Sequence, residues 1–323
     1  MDRVRALIGL NRELQEKFTG EGITAAILDS GIAAHEDFGD RILAFSDFVS
    51  GRGMPYDDNG HGTHIAGILA GSGKRSDGRY AGIAPGCGLV IGKVLNRRGS
   101  GNLADILKGI SWCMEHRELY NIRIINISVG MTKDTGQKME ERLLELIEEA
   151  WAQGMVVVCA AGNNGPSPGS VTIPGNSRTV ITVGAVDENG RGMSGGRGRG
   201  RGEPAGSMSY SGRGPTRECV VKPEILAPGT DIVSCGTTGG YTKKTGTSMA
   251  VPVVSGAVAL MLEKDPALAP VEDPKPTKGR MIRNGNTSYH PRPGVVRDGA
   301  EMDRPGHHGA GPHSLLFQLY RVR

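Results

Sequence analysis

The chain has 323 residues, with 38 lysines and arginines against 34 aspartates and glutamates, which gives a formal net charge of +4. This length supports one large α/β domain or two small ones. So small an excess of charge gives no argument for nucleic acid or a membrane surface as a partner, and the 51 glycines predict many tight turns.

The cysteines are odd in number, and their spacing matches neither a disulfide framework nor a zinc site. They are Cys87, Cys113, Cys159, Cys219 and Cys235. This pattern favours a reducing compartment. The N-terminus lacks the apolar core and cleavage site of a secretory signal, and no stretch approaches the roughly 18 apolar residues of a membrane span. We therefore expect a cytoplasmic protein with no membrane partner.

Short apolar runs alternate with helical patterns along the chain. In order, the pattern predicts strand 23–28, helix 61–70, strand 89–94, helix 102–116, strand 122–128, helix 137–153, strand 155–160, strand 179–186 and helix 247–262 with a Ser/Thr cap. This alternation is typical of an α/β fold with three layers, in which a mostly parallel central sheet has helices on both faces. Since parallel strands end at one edge, Asp29, Ser128 and Asn163 should converge there.

Hydrolysis of an amide needs a nucleophile, a base, a group that orients the base, and donors aimed at the developing oxyanion. The candidates are Ser248 as nucleophile at a helix N-terminus, His61 as base, Asp29 as orienting acid and Asn163 as oxyanion donor. Taken singly, each has a simpler interpretation. Ser248 could be a helix cap, Asp29 a strand-ending turn residue and Asn163 a turn residue.

A metal site is the alternative for His61, because His64 lies three residues further along the chain. No third ligand stands at a supporting spacing, and the acidic residue of a zinc-protease motif is missing between the two histidines. A structural, hydrogen-bonded role is the better interpretation of His64.

Five segments together resemble the signature segments of the subtilisin-like serine proteases: AILDSGI, DDNGHGTHIAGILAG, INISVG, VVVCAAGNNG and TGTSMAVPVVSGAVAL. They occur in the family's order of Asp, then His, then Ser, which differs from the order in chymotrypsin-like enzymes and α/β-hydrolases. The resemblance covers about residues 20–262. It is closer to the intracellular branch, because only residues 1–19 precede the segment that resembles the catalytic domain.

The resemblance implies a serine endopeptidase that works through an acyl-enzyme, with Asp29, His61 and Ser248 as the triad and Asn163 in the oxyanion hole. It also implies a substrate-binding cleft made of Gly99, Ser100, Gly101, Ser128, Val129, Gly130, Ala160, Ala161 and Gly162. Protein or peptide substrates would bind there as an extended strand, through main-chain hydrogen bonds. That mode of binding reads sequence weakly, so we expect broad specificity, with room in the first pocket for a medium or large apolar side chain.

The resemblance and the composition divide the chain into three parts. Residues 1–19 are an N-terminal extension, and residues 20–268 are the peptidase domain, with a flexible Gly/Arg-rich loop at 191–202. Residues 269–323 are an atypical tail, rich in Pro, Gly, Arg and His, for which we expect disorder. The abrupt change near Leu268 fits either a divergent tail or an error of reading frame.

Calcium is the one ion that the resemblance raises, since many members of that family bind it in surface loops. Asp37 resembles one such ligand, but the loop at 71–79 does not supply the usual partners. We therefore expect that no cofactor is required. Calcium could bind, but its ligands cannot be assigned from the sequence, and a surface carboxylate is the simpler interpretation of Asp37.

Two other functions stay open at this point. An abnormal C-terminus could leave a catalytically impaired pseudoenzyme that binds extended peptides without cutting them. The Arg/Gly run at 197–202 could bind RNA, but no aromatic platform lies beside it, so we do not expect nucleic acid as a partner.

Overall fold

The structure is a computed structural model that describes residues 1–130, 136–186 and 210–270, together with the backbone of residues 320–321. The Gly/Arg-rich loop at 191–202 and the tail beyond residue 270 lie outside the described residues, apart from those two. The predictions made for these two segments therefore stay predictions.

The helices are α1 (Asp2–Leu7), α2 (Arg12–Lys17), α3 (His61–Ala70), α4 (Leu103–Glu115), α5 (Arg117–Tyr120), α6 (Gln137–Ala152) and α7 (Thr247–Lys264), with a 3₁₀ turn at Lys74–Ser76. The strands are β1 (Thr24–Asp29), β2 (Ile42–Asp47), β3 (Gly88–Lys93), β4 (Ile122–Ile127), β5 (Val156–Ala160), β6 (Ile181–Val186), β7 (Ile225–Pro228), β8 (Ile232–Cys235), β9 (Tyr241–Lys244) and β10 (Tyr320–Arg321). Each element predicted from the sequence is present, with ends that differ by no more than two residues.

The central sheet has the strand order β10-β7-β6-β5-β4-β1-β3-β2. The pairs from β2 to β7 are all parallel, and β10 joins β7 in the antiparallel sense. A separate antiparallel hairpin consists of β8 and β9. The carboxyl ends of β1, β3, β4 and β5 therefore meet at one edge of the sheet, as the sequence predicts.

Two layers of helices cover the sheet, which confirms the predicted three-layer α/β class. Helices α3 and α7 pack on each other and on strands of the sheet, and α4 and α6 form a second such pair. The strands they cover are almost wholly buried, since every residue of β1, β5 and β6 is buried. Burial of both faces explains why these strands read as continuous apolar runs without alternation.

The N-terminal residues form part of the same core. Val4, Ile8, Leu10 and Leu14 are buried in the main hydrophobic cluster, on and between α1 and α2. The Glu263 carboxylate of α7 accepts hydrogen bonds from the backbone N–H groups of Thr19 and Gly20, at 2.8 and 2.6 Å. The segment predicted as an extension is thus packed against the domain that it precedes.

Helix α7 begins differently from its predicted Ser/Thr cap. Its N-cap is Gly246, and no side chain of the cap residue bonds the helix. Instead the Asn163 side chain, from the loop after β5, accepts the Thr247 N–H at 3.0 Å. By length and composition α7 could also cross a membrane, but 83% of the relevant window is buried inside the fold, where its apolar side chains form the core.

Candidate active site

Asp29 and His61 form a hydrogen-bonded pair at the edge where the parallel strands end. Asp29 is the last residue of β1 and is fully buried, and its Oδ1 lies 2.7 Å from His61 Nδ1. The Ser30 N–H donates to the same oxygen at 2.7 Å. Asp29 Oδ2 is also buried, and no described residue bonds it. Compensation of this buried charge therefore rests on His61 and the Ser30 amide.

The turn before α3 sets the position of His61. Gly60 precedes the helix with a φ of 86°, a conformation that glycine adopts without strain. The Asp57 carboxylate accepts the N–H groups of Gly60 and Thr63 at 2.7 and 2.9 Å, and the Ser30 hydroxyl at 2.9 Å. Burial works to raise the pKa of Asp57, but these hydrogen bonds outweigh it and hold that pKa below its usual value. Asp57 thus joins the residue after Asp29 to the start of the His61 helix.

The two histidines of α3 have opposite electrostatic environments. Burial lowers the pKa of His61, but the charge of Asp29 and the hydrogen bond to it outweigh burial, so the net shift is upward. Burial is also the largest influence on His64, and it lowers the pKa of that ring to about 3. His64 Nε2 lies 3.1 Å from the carbonyl oxygen of Ile232 and 3.2 Å from that of Thr242. His64 is therefore a neutral ring that ties α3 to the β8–β9 hairpin, which fits the structural role predicted for it.

Ser248 lies in the first turn of α7, and its hydroxyl donates to the Ser128 carbonyl at 2.7 Å. Across the described parts of the chain, no hydrogen bond joins Ser248 to His61. His61 Nε2 likewise has no partner there, and the side chain is 22% exposed. In free enzymes, catalytic hydrogen bonds are often formed only when substrate binds. The lack of a Ser248–His61 bond among the described residues is therefore compatible with the roles predicted for both side chains.

The amide of Asn163 is held in a fixed orientation. Its Oδ1 accepts both the backbone N–H and the hydroxyl of Thr247, at 3.0 and 3.1 Å. With the oxygen engaged in this way, the NH₂ group is free to donate elsewhere. Thr247 is buried, whereas Asn163 is exposed. The arrangement places an amide donor beside the N-terminus of α7, next to Ser248 in the first turn of the helix.

The predicted substrate-binding segments follow three strand ends of this edge. Gly99, Ser100 and Gly101 are exposed in the loop after β3, where Asn96 N–H bonds the Ser100 carbonyl at 2.8 Å. One of the other two segments directly follows β4 and consists of Ser128, Val129 and Gly130. The other begins at the last residue of β5 and consists of Ala160, Ala161 and Gly162. The Ser248–Ser128 hydrogen bond places the first of these two segments beside Ser248.

Thr172 is a residue of this region that the sequence did not reveal. A Cβ atom added to Gly130 would lie 2.2 Å from Thr172 Oγ1, and one added to Gly162 would lie 2.5 Å from it. Thr172 therefore fills the space between two of the predicted cleft segments. Its hydroxyl is buried and has no hydrogen-bond partner among the described residues. A lone threonine in a loop gave no signal that could have identified it.

Most of the chain is similar to known proteins. The model of the subtilase family matches residues 20–298. The chain belongs to the subtilase family. It is 40% identical over 292 residues to serine protease AprX of Bacillus subtilis (strain 168), and 35% identical over 266 residues to subtilisin DY of Bacillus licheniformis. These matches cover 85% and 81% of this chain, and 63% and 85% of the respective relatives, so the chain spans less than two thirds of AprX.

Solved structures show the same subtilase fold. A cold-adapted subtilisin-like serine proteinase superposes with a TM-score of 0.62 and 31% identity, over 78% of this chain and 79% of its own. Sphericase superposes with a TM-score of 0.66 and 29% identity, over 82% of this chain and 84% of its own. The predicted family and the three-layer α/β fold are both confirmed.

The carboxylate that resembles a calcium ligand in other subtilases has protein donors in this one. Asp37 is buried, and its two oxygens accept the Arg75 N–H at 3.0 Å and the Tyr241 hydroxyl at 2.8 Å. Asp37 is thus a buried hydrogen-bonded group and not the surface carboxylate that the sequence suggested. Calcium prefers six to eight oxygen ligands, many of them charged. A carboxylate surrounded by an amide, a phenol and the Cys235 thiol does not fit such an ion.

His35 and Cys235 lie beside Asp37, so three side chains of metal-binding types come together in one buried cluster. The ring nitrogens of His35 are both engaged: Nδ1 accepts the Asp37 N–H at 3.1 Å, and Nε2 lies 3.0 Å from the Gly240 carbonyl oxygen. Burial raises the pKa of the Cys235 thiol, which disfavours the thiolate that a metal would need. We interpret the cluster as an internal hydrogen-bond network.

Proposed function

We propose that this subtilase is a serine endopeptidase that hydrolyses peptide bonds in proteins through an acyl-enzyme. The observation that supports the proposal best is the geometry of His61. Its Nδ1 is held 2.7 Å from the buried carboxylate of Asp29, while its Nε2 is unengaged by described residues and partly exposed to the cleft. A base held on one side and free on the other is what a serine nucleophile needs.

In the proposed reaction, the proton of Ser248 Oγ passes to His61 Nε2 as the oxygen attacks the substrate carbonyl carbon. The oxyanion accepts hydrogen bonds from the Asn163 amide and the free N–H at the start of α7. His61 then gives its proton to the leaving amine, and the peptide C–N bond breaks. Water attacks the resulting ester with His61 again as base, which releases the acid and restores Ser248. Asp29 holds the ring and stabilises the imidazolium throughout.

Substrate binding would also prepare the nucleophile. In the free protein the Ser128 carbonyl accepts the Ser248 hydroxyl. If residues 128–130 pair with an extended substrate, a backbone N–H of that substrate competes for the same carbonyl. Its arrival would release the Ser248 hydroxyl, which can then rotate to His61. The cleft would therefore bring the nucleophile into line only when a peptide strand is bound.

The position of Thr172 supports a first specificity pocket smaller than the one expected from the sequence. Because Thr172 occupies the space between Gly130 and Gly162, we propose that the pocket accepts medium side chains better than large aromatic ones. The unpaired Thr172 hydroxyl would favour a side chain with a polar end that reaches it, since an unsatisfied buried hydroxyl costs free energy.

We also propose that catalysis needs no metal and that the protein works in a reducing compartment. The Asp37 network supports the first point, because protein donors already occupy that carboxylate. The second is supported by the cysteines, which are all free, four of them buried.

Labelling with a fluorophosphonate probe tests the proposed activity, because such probes react only with an activated serine hydroxyl. The intact chain should be labelled and should cleave a peptide amide substrate, whereas Ser248→Ala should do neither. The expected loss in kcat is on the order of 10⁶-fold, the magnitude established on subtilisin for the same change. Binding of an extended peptide by the folded protein, without labelling or cleavage, would instead establish the pseudoenzyme.

A further inference from the structure

A fully buried lysine lies on the strand next to the one that ends at Asp29. Lys93 is the last residue of β3 and lies in the interior of the fold. Its ammonium group donates three hydrogen bonds: to the Ser30 carbonyl at 2.6 Å, to the Leu95 carbonyl at 2.8 Å and to Asp58 Oδ1 at 2.7 Å. The ring of Tyr56 adds a cation–π contact at 4.8 Å. Every donor of the ammonium is thus satisfied.

The acceptors belong to the segments that carry the catalytic pair. Lys93 pairs with Asp29 in the parallel register of β3 and β1. Ser30 follows Asp29 in the chain and donates its N–H to the Asp29 carboxylate. Asp58 lies three residues before His61, in the turn that leads into α3. One ammonium group therefore connects the chain just after the acid with the chain just before the base.

Stability alone does not explain this ammonium group. Burying a charge costs several kcal/mol, and a well-packed apolar side chain of similar volume is often as stabilising as a buried ion pair. Its Asp58 partner keeps 40% of its side-chain surface exposed, so the ion pair itself is only partly shielded. What an apolar side chain could not do is hold three separate loops at fixed distances.

We propose that Lys93 is a positioning residue for Asp29 and His61, which fixes the loop after β1 against the turn before α3. The proposal rests on the proposed serine endopeptidase activity. Its consequence is that loss of Lys93 loosens the Asp29–His61 hydrogen bond and misaligns His61 with Ser248. The substrate-binding segments at 128–130 and 160–162, to which Lys93 makes no hydrogen bond, stay in place.

The chain offers a matched control in a second buried lysine. Lys222 is 2% exposed, donates to the Val180 carbonyl at 2.9 Å and pairs with Glu224. Val180 lies just before β6, at the edge of the sheet opposite the catalytic pair. Lys93→Met and Lys222→Met therefore remove the same charge from equally buried sites. Only the former touches the loops beside Asp29 and His61.

The first measurement is steady-state kinetics with a peptide amide substrate. Lys93→Met should lower kcat on the order of 100-fold, the size of effect that a misplacement of about 1 Å produces, and should leave KM nearly unchanged. Lys222→Met should keep the kcat of the unmodified protein, even where its thermal stability falls. Equal kcat values for the two folded variants would overturn the proposal.

The second measurement does not depend on activity. The proton shared between His61 Nδ1 and Asp29 should give a strongly low-field NMR resonance in the unmodified protein and in Lys222→Met, and should be broadened or lost in Lys93→Met. If the unmodified protein is not labelled by a fluorophosphonate, the proposed activity fails while this resonance still tests Lys93. An unchanged resonance in Lys93→Met shows that Lys93 does not position the pair.

Should Lys93→Met fail to fold, Asp58→Ala replaces it. This variant leaves the ammonium with its two carbonyl acceptors and cuts only the link to the turn before α3. A roughly 10-fold fall in kcat with a weakened low-field resonance supports the positioning role. Kinetics and resonance equal to those of the unmodified protein refute it.

Discussion

The described part of the fold contains two pairs of histidine and aspartate, and they differ in what is left unengaged. In the first, His61 Nδ1 is bonded to Asp29 at 2.7 Å, and the ring keeps 22% of its surface open. In the second, His35 Nδ1 lies 3.9 Å from Asp37 Oδ1, and both side chains are fully buried. Backbone groups use both nitrogens of His35, and Arg75 and Tyr241 use the oxygens of Asp37.

The contrast shows that a histidine–aspartate pair can take part in proton transfer only where one ring nitrogen is left without a partner. The His35–Asp37 pair is satisfied on every side, so it can only join segments of chain: the loop after β1, the 3₁₀ turn and the β8–β9 hairpin. The His61–Asp29 pair keeps Nε2 available beside the helix that carries Ser248. An available nitrogen whose partner raises its pKa can accept a proton from a hydroxyl and return it.

Among the changes that test this contrast between the two pairs, the largest expected effect comes from Asp29→Asn. It should lower kcat about 10⁴-fold, the magnitude established for the same change in a serine protease of another fold, because an amide favours the wrong tautomer of the ring. The charge of Asp29 raises the pKa of His61, and only neutral His61 acts as base. The acid limb of the pH profile of kcat/KM should therefore move to lower pH in the variant.

Asp37→Asn is the control for that experiment, since it alters the other pair. It should leave the acid limb and kcat unchanged. A shift in the acid limb of similar size in both variants would remove the distinction drawn between the two pairs.

A smaller effect is expected from Asn163→Ala, which removes the amide donor that Thr247 holds in place. Loss of one donor to an oxyanion costs roughly 100- to 1,000-fold in kcat, a value established on subtilisin. The change should fall on kcat with little effect on KM, because the donor acts when negative charge develops. Asn164→Ala, at the adjacent exposed residue, should have kinetics close to those of the unmodified protein. A large rise in KM in Asn163→Ala would show instead that Asn163 binds the ground state.

The smallest expected effects are on stability, and they come from chelation of metal ions and from a change in the His35–Asp37 pair. Excess EGTA should leave the melting temperature unchanged, because protein donors occupy the Asp37 carboxylate. Asp37→Asn should lower the free energy of unfolding by about 1–3 kcal/mol, since it disturbs buried hydrogen bonds. A fall of many degrees on chelation, with recovery when calcium is restored, would show that a calcium site supports the fold.

Much of this molecule could be predicted from local sequence. The runs in β1, β4 and β5 are apolar because helices cover both faces of the sheet, so their apolar composition and their length identified them. Several of the elements that the pattern missed are short or lie at the margins, among them β2, the β8–β9 hairpin and the N-terminal helices α1 and α2. Their residues mix polar and apolar types, and only packing against the rest of the chain decides their form.

The sequence by itself determined the family, the parallel sheet and the candidate site residues Asp29, His61, Ser248 and Asn163. These follow from short sequence motifs and from the rule that parallel strands end at one edge. Tertiary structure decided the rest. It gave Asn163, and not a Ser/Thr cap, to the start of α7, and it turned Asp37 into a hydrogen-bonded anchor. It also placed Thr172 between Gly130 and Gly162, and the Lys93 ammonium against the carbonyl of Ser30. These roles depend on contacts between residues far apart in the chain, and a local sequence pattern does not predict which side chains will be in contact.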